Sequence, residues 1–150
     1  MMSLKGRKMD KYIEGEKDMI SRQMQKMVNE SLDEIVSPEL EKRGFQKEVS
    51  VTVERDKIWR YIKNINGLDC EIIFKPTILN TVEVDFYVPF GMQISITTLD
   101  PEMTFEKKLW GYKFKSEESL KEQLEYLKGI VLEKGISKLE DIANRGKPMR

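Results

Sequence analysis

The sequence predicts an α+β fold: an antiparallel meander of five or six strands, with N-terminal and C-terminal helices packed on one face. Two observations predict it. Residues 68–98 hold three runs in which apolar residues alternate with polar ones: Leu68, Cys70, Ile72 and Phe74; Val82, Val84, Phe86 and Val88; Met92, Ile94 and Ile96. Successive strand side chains point to opposite sides, so a period of two describes a sheet with one buried and one wet face. The stretches before and after these runs space their apolar residues by three and four, as helices do, and a sheet that is apolar on one side needs such a cover.

Residues 1–15 combine Gly6, Gly15 and mixed charges with little periodicity, which predicts a flexible leader; residues 146–150 read as a flexible tail of one domain spanning 1–150. A first helix is expected from about residue 16. Its stripe is Ile20, Met24, Met27, Val28, Leu32, Ile35 and Val36, with Arg22, Gln25, Asn29 and Asp33 on the other side. Ser37 and Pro38 read as cap and first position of a short helix that Gly44 ends in a left-handed cap. A first strand then carries Val49, Val51 and Val53 on one side, and a second runs over residues 58–64. Asn66-Gly67 is the strongest turn signal, because both central positions of a type I′ turn need positive φ. A turn there pairs Ile65 with Leu68, Tyr61 with Ile72 and Trp59 with Phe74.

The three alternating strands follow, joined by residues 76–80 and by Pro89-Phe90-Gly91, with neither proline inside a strand pattern. Residues 102–108 read ambiguously, with neither period dominant. Trp110, Tyr112 and Phe114 suggest a short edge strand. Ser116, followed by Glu117 and Glu118, starts a helix whose stripe is Leu120, Leu124, Leu127 and Val131. Gly135 reads as its stop, and a last helix places Ile136, Leu139 and Ile142 inward.

Composition narrows the chemistry. Lys and Arg number 26, as do Asp and Glu, so no global field draws the chain to nucleic acid or an anionic membrane. There is no histidine and one cysteine, which excludes Ser-His-Asp and Cys-His catalysis and Cys/His zinc sites. Neither phosphate-binding glycine motif is present. No catalytic residue, cofactor or metal ligand is therefore assigned. A lone cysteine and the lack of an apolar signal-like segment point to a reducing, cytoplasmic setting. Cys70 shares its face with Leu68 and Ile72 and reads as an inert core thiol. The methionines Met19, Met24 and Met27 suit a helix core better than an adaptable binding groove, and the aromatic residues share parity with Ile, Val and Leu rather than forming a base-stacking platform. Tyr87 alone points to the wet face.

The best binding candidates lie on that wet face. If Lys75 pairs near Thr81, Glu71 falls opposite Asp85, with Glu83 one step along and Arg60 diagonal to Glu71. Facing like charges are unfavourable unless neutralised, so Glu71, Glu83, Asp85, Tyr87 and Arg60 form the expected partner-binding surface. The competing account is a solvated face with weak local ion pairs.

The order Leu40-Glu-Lys-Arg-Gly44-Phe45, Trp59-Arg60, meander, Trp110-Gly-Tyr-Lys-Phe114 and Ser116-x-x-x-Leu120 resembles a group of small bacterial α+β domains of unknown function, some of them immunity-protein-like or antitoxin-like. The resemblance implies a non-catalytic binding protein that engages a protein partner, here through the polar sheet face. The alternative is a carboxylate-dependent enzyme or small-ligand binder with its site between sheet and helices. Nucleic-acid binding through the basic ends is disfavoured by the balanced charge, and homo-oligomerisation is left open.

Overall fold

The computed structural model describes residues 21–52, 56–90 and 93–145. The described elements run α1 (Arg22–Ile35), α2 (Ser37–Lys42), β1 (Gln46–Val51), β2 (Lys57–Ile65), β3 (Leu68–Pro76), β4 (Thr81–Tyr87), β5 (Gln93–Ser95), a 3₁₀ turn (Ile96–Thr98), α3 (Phe105–Trp110), β6 (Tyr112–Lys113), α4 (Glu117–Ile130) and α5 (Ile136–Arg145). The sheet is antiparallel in the order β1-β2-β3-β4-β5, and β6 pairs with β4. The fold is α+β, with helices drawn from both ends of the chain.

The hairpin between β2 and β3 follows from two backbone positions. Asn66 and Gly67 hold φ of 54° and 87°, and the register pairs Ile65 with Leu68, Tyr61 with Ile72 and Trp59 with Phe74. A single face of the sheet then carries Trp59, Tyr61, Cys70, Ile72, Phe74, Val82, Val84 and Phe86, all buried. Leu32 and Leu40 from the first two helices and Leu120, Leu124, Leu127 and Leu139 from the last two close over it. Filling that space removes apolar surface from water at roughly 1.5–3 kcal/mol per large side chain. Glu83 and Gln93 lie exposed on the opposite face, so the alternation predicts the buried side correctly.

Several local expectations are overturned. The expected helix start near residue 16 is not among them, because residues 16–20, like Val53, lie outside the described residues; the described helix begins at Arg22, where the Ser21 side chain accepts from the Met24 N–H. Ser37 is no cap. Its hydroxyl bonds Asp33 Oδ1 at 3.1 Å and the buried Tyr61 hydroxyl at 2.8 Å, tying α2 to the sheet, and the chain stays helical through Val36. Within residues 102–110, Phe105–Trp110 form α3, capped by Thr104. Trp110 is thus a helix end, half exposed, and only Tyr112 and Lys113 form the edge strand. Ile96 stays buried but begins the 3₁₀ turn rather than extending β5.

Gly135 does not stop the helix. Residues Val131–Gly135 form a π turn that carries α4 directly into α5. A Cβ at this position would lie 2.5 Å from Cε1 and Cζ of the Phe86 ring. The glycine is there because helix backbone rests directly on the sheet, a tertiary demand that a stop-signal reading cannot anticipate. Gly44 does take the left-handed conformation, at φ 93°, and turns the chain from α2 into β1.

Candidate functional site

The sheet face away from the core places its side chains in two adjoining rows across the strands. One row is Gln46, Ile62, Glu71, Tyr87 and Gln93; the next is Glu48, Arg60, Ile73, Asp85 and Ser95. Every one of these side chains stays at least partly exposed. Arg60 sits at the centre of the polar network. Its Nε and Nη2 donate to Glu71 Oε1 and Oε2 at 2.9 and 2.7 Å, a two-pronged match of planar groups, and Nη1 reaches Glu48 at 3.3 Å and Ser50 at 3.0 Å. Ile58, Ile62, Ile73 and Tyr87 supply apolar surface among these charges.

The expected apposition of Glu71 and Asp85 does not occur. Lys75 lies opposite Glu83 rather than Thr81, which moves Glu71 opposite Tyr87 and Asp85 opposite Ile73. The cause is the connection. Thr77 N–H donates to the Thr81 carbonyl and Asn80 takes φ 58°, leaving residues 78–80 as a three-residue loop where a five-residue one was expected. A two-residue slip keeps the face and changes the neighbours. Each acid then has a partner: Glu71 has Arg60, Glu83 has Lys75 at 3.5 Å, and Asp85 accepts from Gln93 Nε2 at 3.2 Å. Burial pushes the Asp85 carboxyl above the usual range, against the pull of Lys75 and the Gln93 hydrogen bond. Among the described residues the face is mixed and internally paired, with no cluster of uncompensated acids.

A second polar cluster, which the sequence reading missed, pins the segment between β5 and β6. The Asp100 carboxylate is buried and accepts from Tyr112 Oη at 2.8 Å, from the Tyr126 hydroxyl, from the Glu102 N–H at 2.8 Å and from Lys107 Nζ at 3.3 Å. Burial alone would raise this carboxyl; the four donors outweigh it and hold it below the usual range. Burial and the neighbouring carboxylate push both tyrosines upward, so neither phenol is primed to lose a proton near neutral pH. Lys107 also lies 4.6 Å from the centre of the Tyr126 ring. With its acceptor positions filled, Asp100 binds α3, β6 and α4 together and offers nothing to a substrate.

A groove of about 590 Å³ lies between α1 and the β1–β2 edge, lined by Arg22, Gln25, Lys26, Asn29, Val49, Val51, Lys57 and Trp59. Asn29 Oδ1 accepts from Trp59 Nε1 at 2.8 Å and from Lys47 Nζ at 2.6 Å, which closes the groove at that point. Gln25 and Asn29 had been assigned to the solvent side of α1; Gln25 is buried and Asn29 half-buried against the sheet. The i, i+3, i+4, i+7 spacing of Arg22, Gln25, Lys26 and Asn29 was the available signal, hidden because all four are polar.

Among the described residues, no group of three or more acidic or Cys side chains is placed to hold a metal ion, and no helix is long and apolar enough to cross a membrane. Cys70 is buried, and burial raises its thiol pKa. No family model, curated protein or solved structure matches the chain.

Proposed function

We propose that this chain is a non-catalytic binding protein of the bacterial cytoplasm, of the immunity or antitoxin type, which holds a protein partner against the open face of its sheet. One observation carries the reading. Helices cover one side of the sheet, while the other bears Ile58, Ile62, Ile73 and Tyr87 around the Arg60–Glu71 pair, with its rows from Gln46 to Gln93 and from Glu48 to Ser95 still reached by solvent. Arginine and tyrosine beside apolar side chains are the composition from which protein interfaces draw most of their energy. The pre-formed ion pairs orient those charges, so a partner meets an ordered surface. The resemblance to immunity-like domains supplies the partner class.

The test starts from affinity capture by the native chain, with the product of any toxin gene beside its own as the first partner to assay. Ile73→Lys and Tyr87→Ala, each shown by circular dichroism to melt like the parent, are expected to weaken capture about tenfold or more, the loss typical of central interface residues. The double variant Glu83→Lys, Asp85→Lys probes the acidic margin of the same face. Undiminished capture by all three would remove the sheet face as the docking surface.

A further inference from the structure

The groove between α1 and the β1–β2 edge is built differently from the sheet face. Its floor is apolar: Val49 and Val51 sit on the core side of β1 yet are 47% and 63% exposed, and Trp59 lies beneath Asn29. Its walls are cationic. Arg22 and Lys26 stand one turn apart on α1, and Lys57 lies beside Val51 in the β1–β2 register. Among the described residues, no acidic side chain lines it. Lys26 reaches Glu30 only at 4.0 Å between two well-exposed side chains, and no carboxylate among the described residues pairs with Arg22 or Lys57. Arg22 and Lys57 thus have no carboxylate partner among the described residues, and the two valines beside them stay exposed to water.

We propose that this groove is a binding site for a small amphipathic organic carboxylate with a medium-length apolar body. The apolar body lies over Val49 and Val51, and the carboxylate accepts from Arg22, Lys26 and Lys57. The cavity volume of about 590 Å³ falls within the roughly 300–1,000 Å³ of small-molecule clefts, in which a few charged groups fix the ligand's orientation. Asn29, held by Trp59 and Lys47, closes one end and sets a limit to the depth of the ligand. The charge of the lining selects the head group: a neutral ligand of the same length makes no charge-assisted contact with the cations, while a bare small anion leaves the valines in water. The site is independent of the sheet face, since the two lie on opposite sides of β1 and β2.

The experiment is a two-dimensional NMR titration of the full-length chain with octanoate, octan-1-ol and acetate. Octanoate is expected to give saturable shifts at Val49, Val51 and the Trp59 indole N–H. Octan-1-ol and acetate should each bind about tenfold more weakly or less, the cost of losing a charge-assisted contact or the apolar contact respectively. The double variant Arg22→Glu, Lys57→Glu should lose octanoate binding about tenfold or more with its spectrum otherwise retained, whereas Lys108→Glu on α3, at the other edge of the sheet, should leave it unchanged. Should the double reversal fail to fold, Arg22→Gln with Lys57→Gln makes the same test at lower charge contrast. Equal binding of octanol and octanoate, shifts scattered over other surfaces, indifference to the charge changes, or shifts that track dimer formation by diffusion would each overturn the assignment. None of these outcomes bears on capture through Ile73 and Tyr87.

Discussion

Val84 and Phe86 on β4 and Val49 and Val51 on β1 occupy the same side of one sheet, and their fates differ. The first pair is buried to about 1% exposure; the second stands roughly half open. Strand parity is identical in the two regions, so the difference lies in what sits above them. Over β4 the π turn brings helix backbone down onto the Phe86 ring at Gly135. Beside Val49 and Val51 the α1 residues that line the space are Gln25, Asn29 and the cations Arg22 and Lys26, which leave a groove instead of filling it. Alternation says which way a side chain points. Burial is then decided by the element that arrives to meet it.

Four tests put that contrast at risk. The largest effect is expected at the covered end: Phe86→Ala should cost about 3–5 kcal/mol in urea unfolding, through lost transfer energy and the cavity left behind. Val51→Ala, on the same face, should stay within about 0.5 kcal/mol. Comparable costs at the two positions would mean that the groove closes in solution.

Next comes Asp100, which anchors the segment that closes the β4 edge. Asp100→Asn should cost about 1.5–3 kcal/mol at neutral pH, the scale of hydrogen bonds to a charged group. Its folded carboxyl lies below the ordinary value of 3.8, so the folded state releases this proton more readily than the unfolded one. The stabilisation is complete above that ordinary value and drains away as pH falls through the lower folded one. Thermal melts of wild type and variant should therefore converge in acid, and a gap that persisted there would place the cost elsewhere than in the charge.

The helix contact with the sheet gives the third test. Gly135→Ala forces a methyl into the Phe86 ring and should cost about 1–3 kcal/mol. Gly129→Ala, one helical segment earlier with open space around its Cβ, should gain up to about 1 kcal/mol from helix propensity. Equal responses would show that the close approach to Phe86 is not what position 135 requires.

The smallest effect belongs to the open face. Burial raises the Asp85 carboxyl, so the folded state holds this proton more tightly than the unfolded one, and stability falls as pH climbs from 3.8 through the raised folded value. Asp85→Asn should consequently melt slightly higher than wild type at neutral pH, by under about 1 kcal/mol, and the two should agree below the ordinary carboxylate range. A destabilised variant at neutral pH would mean that the Gln93 hydrogen bond outweighs the burial.

Legibility followed the range of the interaction. Asn66-Gly67 specified its own turn, because positive φ is a demand the two residues meet locally, and everything counted outward from it came out right, including Arg60 diagonal to Glu71. The next connection carried no such signal. Its three-residue loop depends on a Thr77–Thr81 pairing that the pattern of apolar residues permits but does not require, since a slip by two leaves every side chain on the same face. The acids on the wet face were therefore located correctly and given the wrong neighbours. Gly135 and Ser37 failed for a related reason: each resembles a local signal, a stop and a cap, and each answers a distant partner, Phe86 and Tyr61.

By itself, then, the sequence determined the fold class, the two faces of the sheet and the absence of histidine-based chemistry, because periodicity and composition are properties of the chain alone. Only the tertiary structure decided which acid meets which base, that Asp100 gathers four donors, and that Arg22, Lys26 and Lys57 converge beside two uncovered valines. Those outcomes depend on contacts between segments far apart in sequence, whose geometry is set when helices pack on the sheet and not by the residues of any one segment.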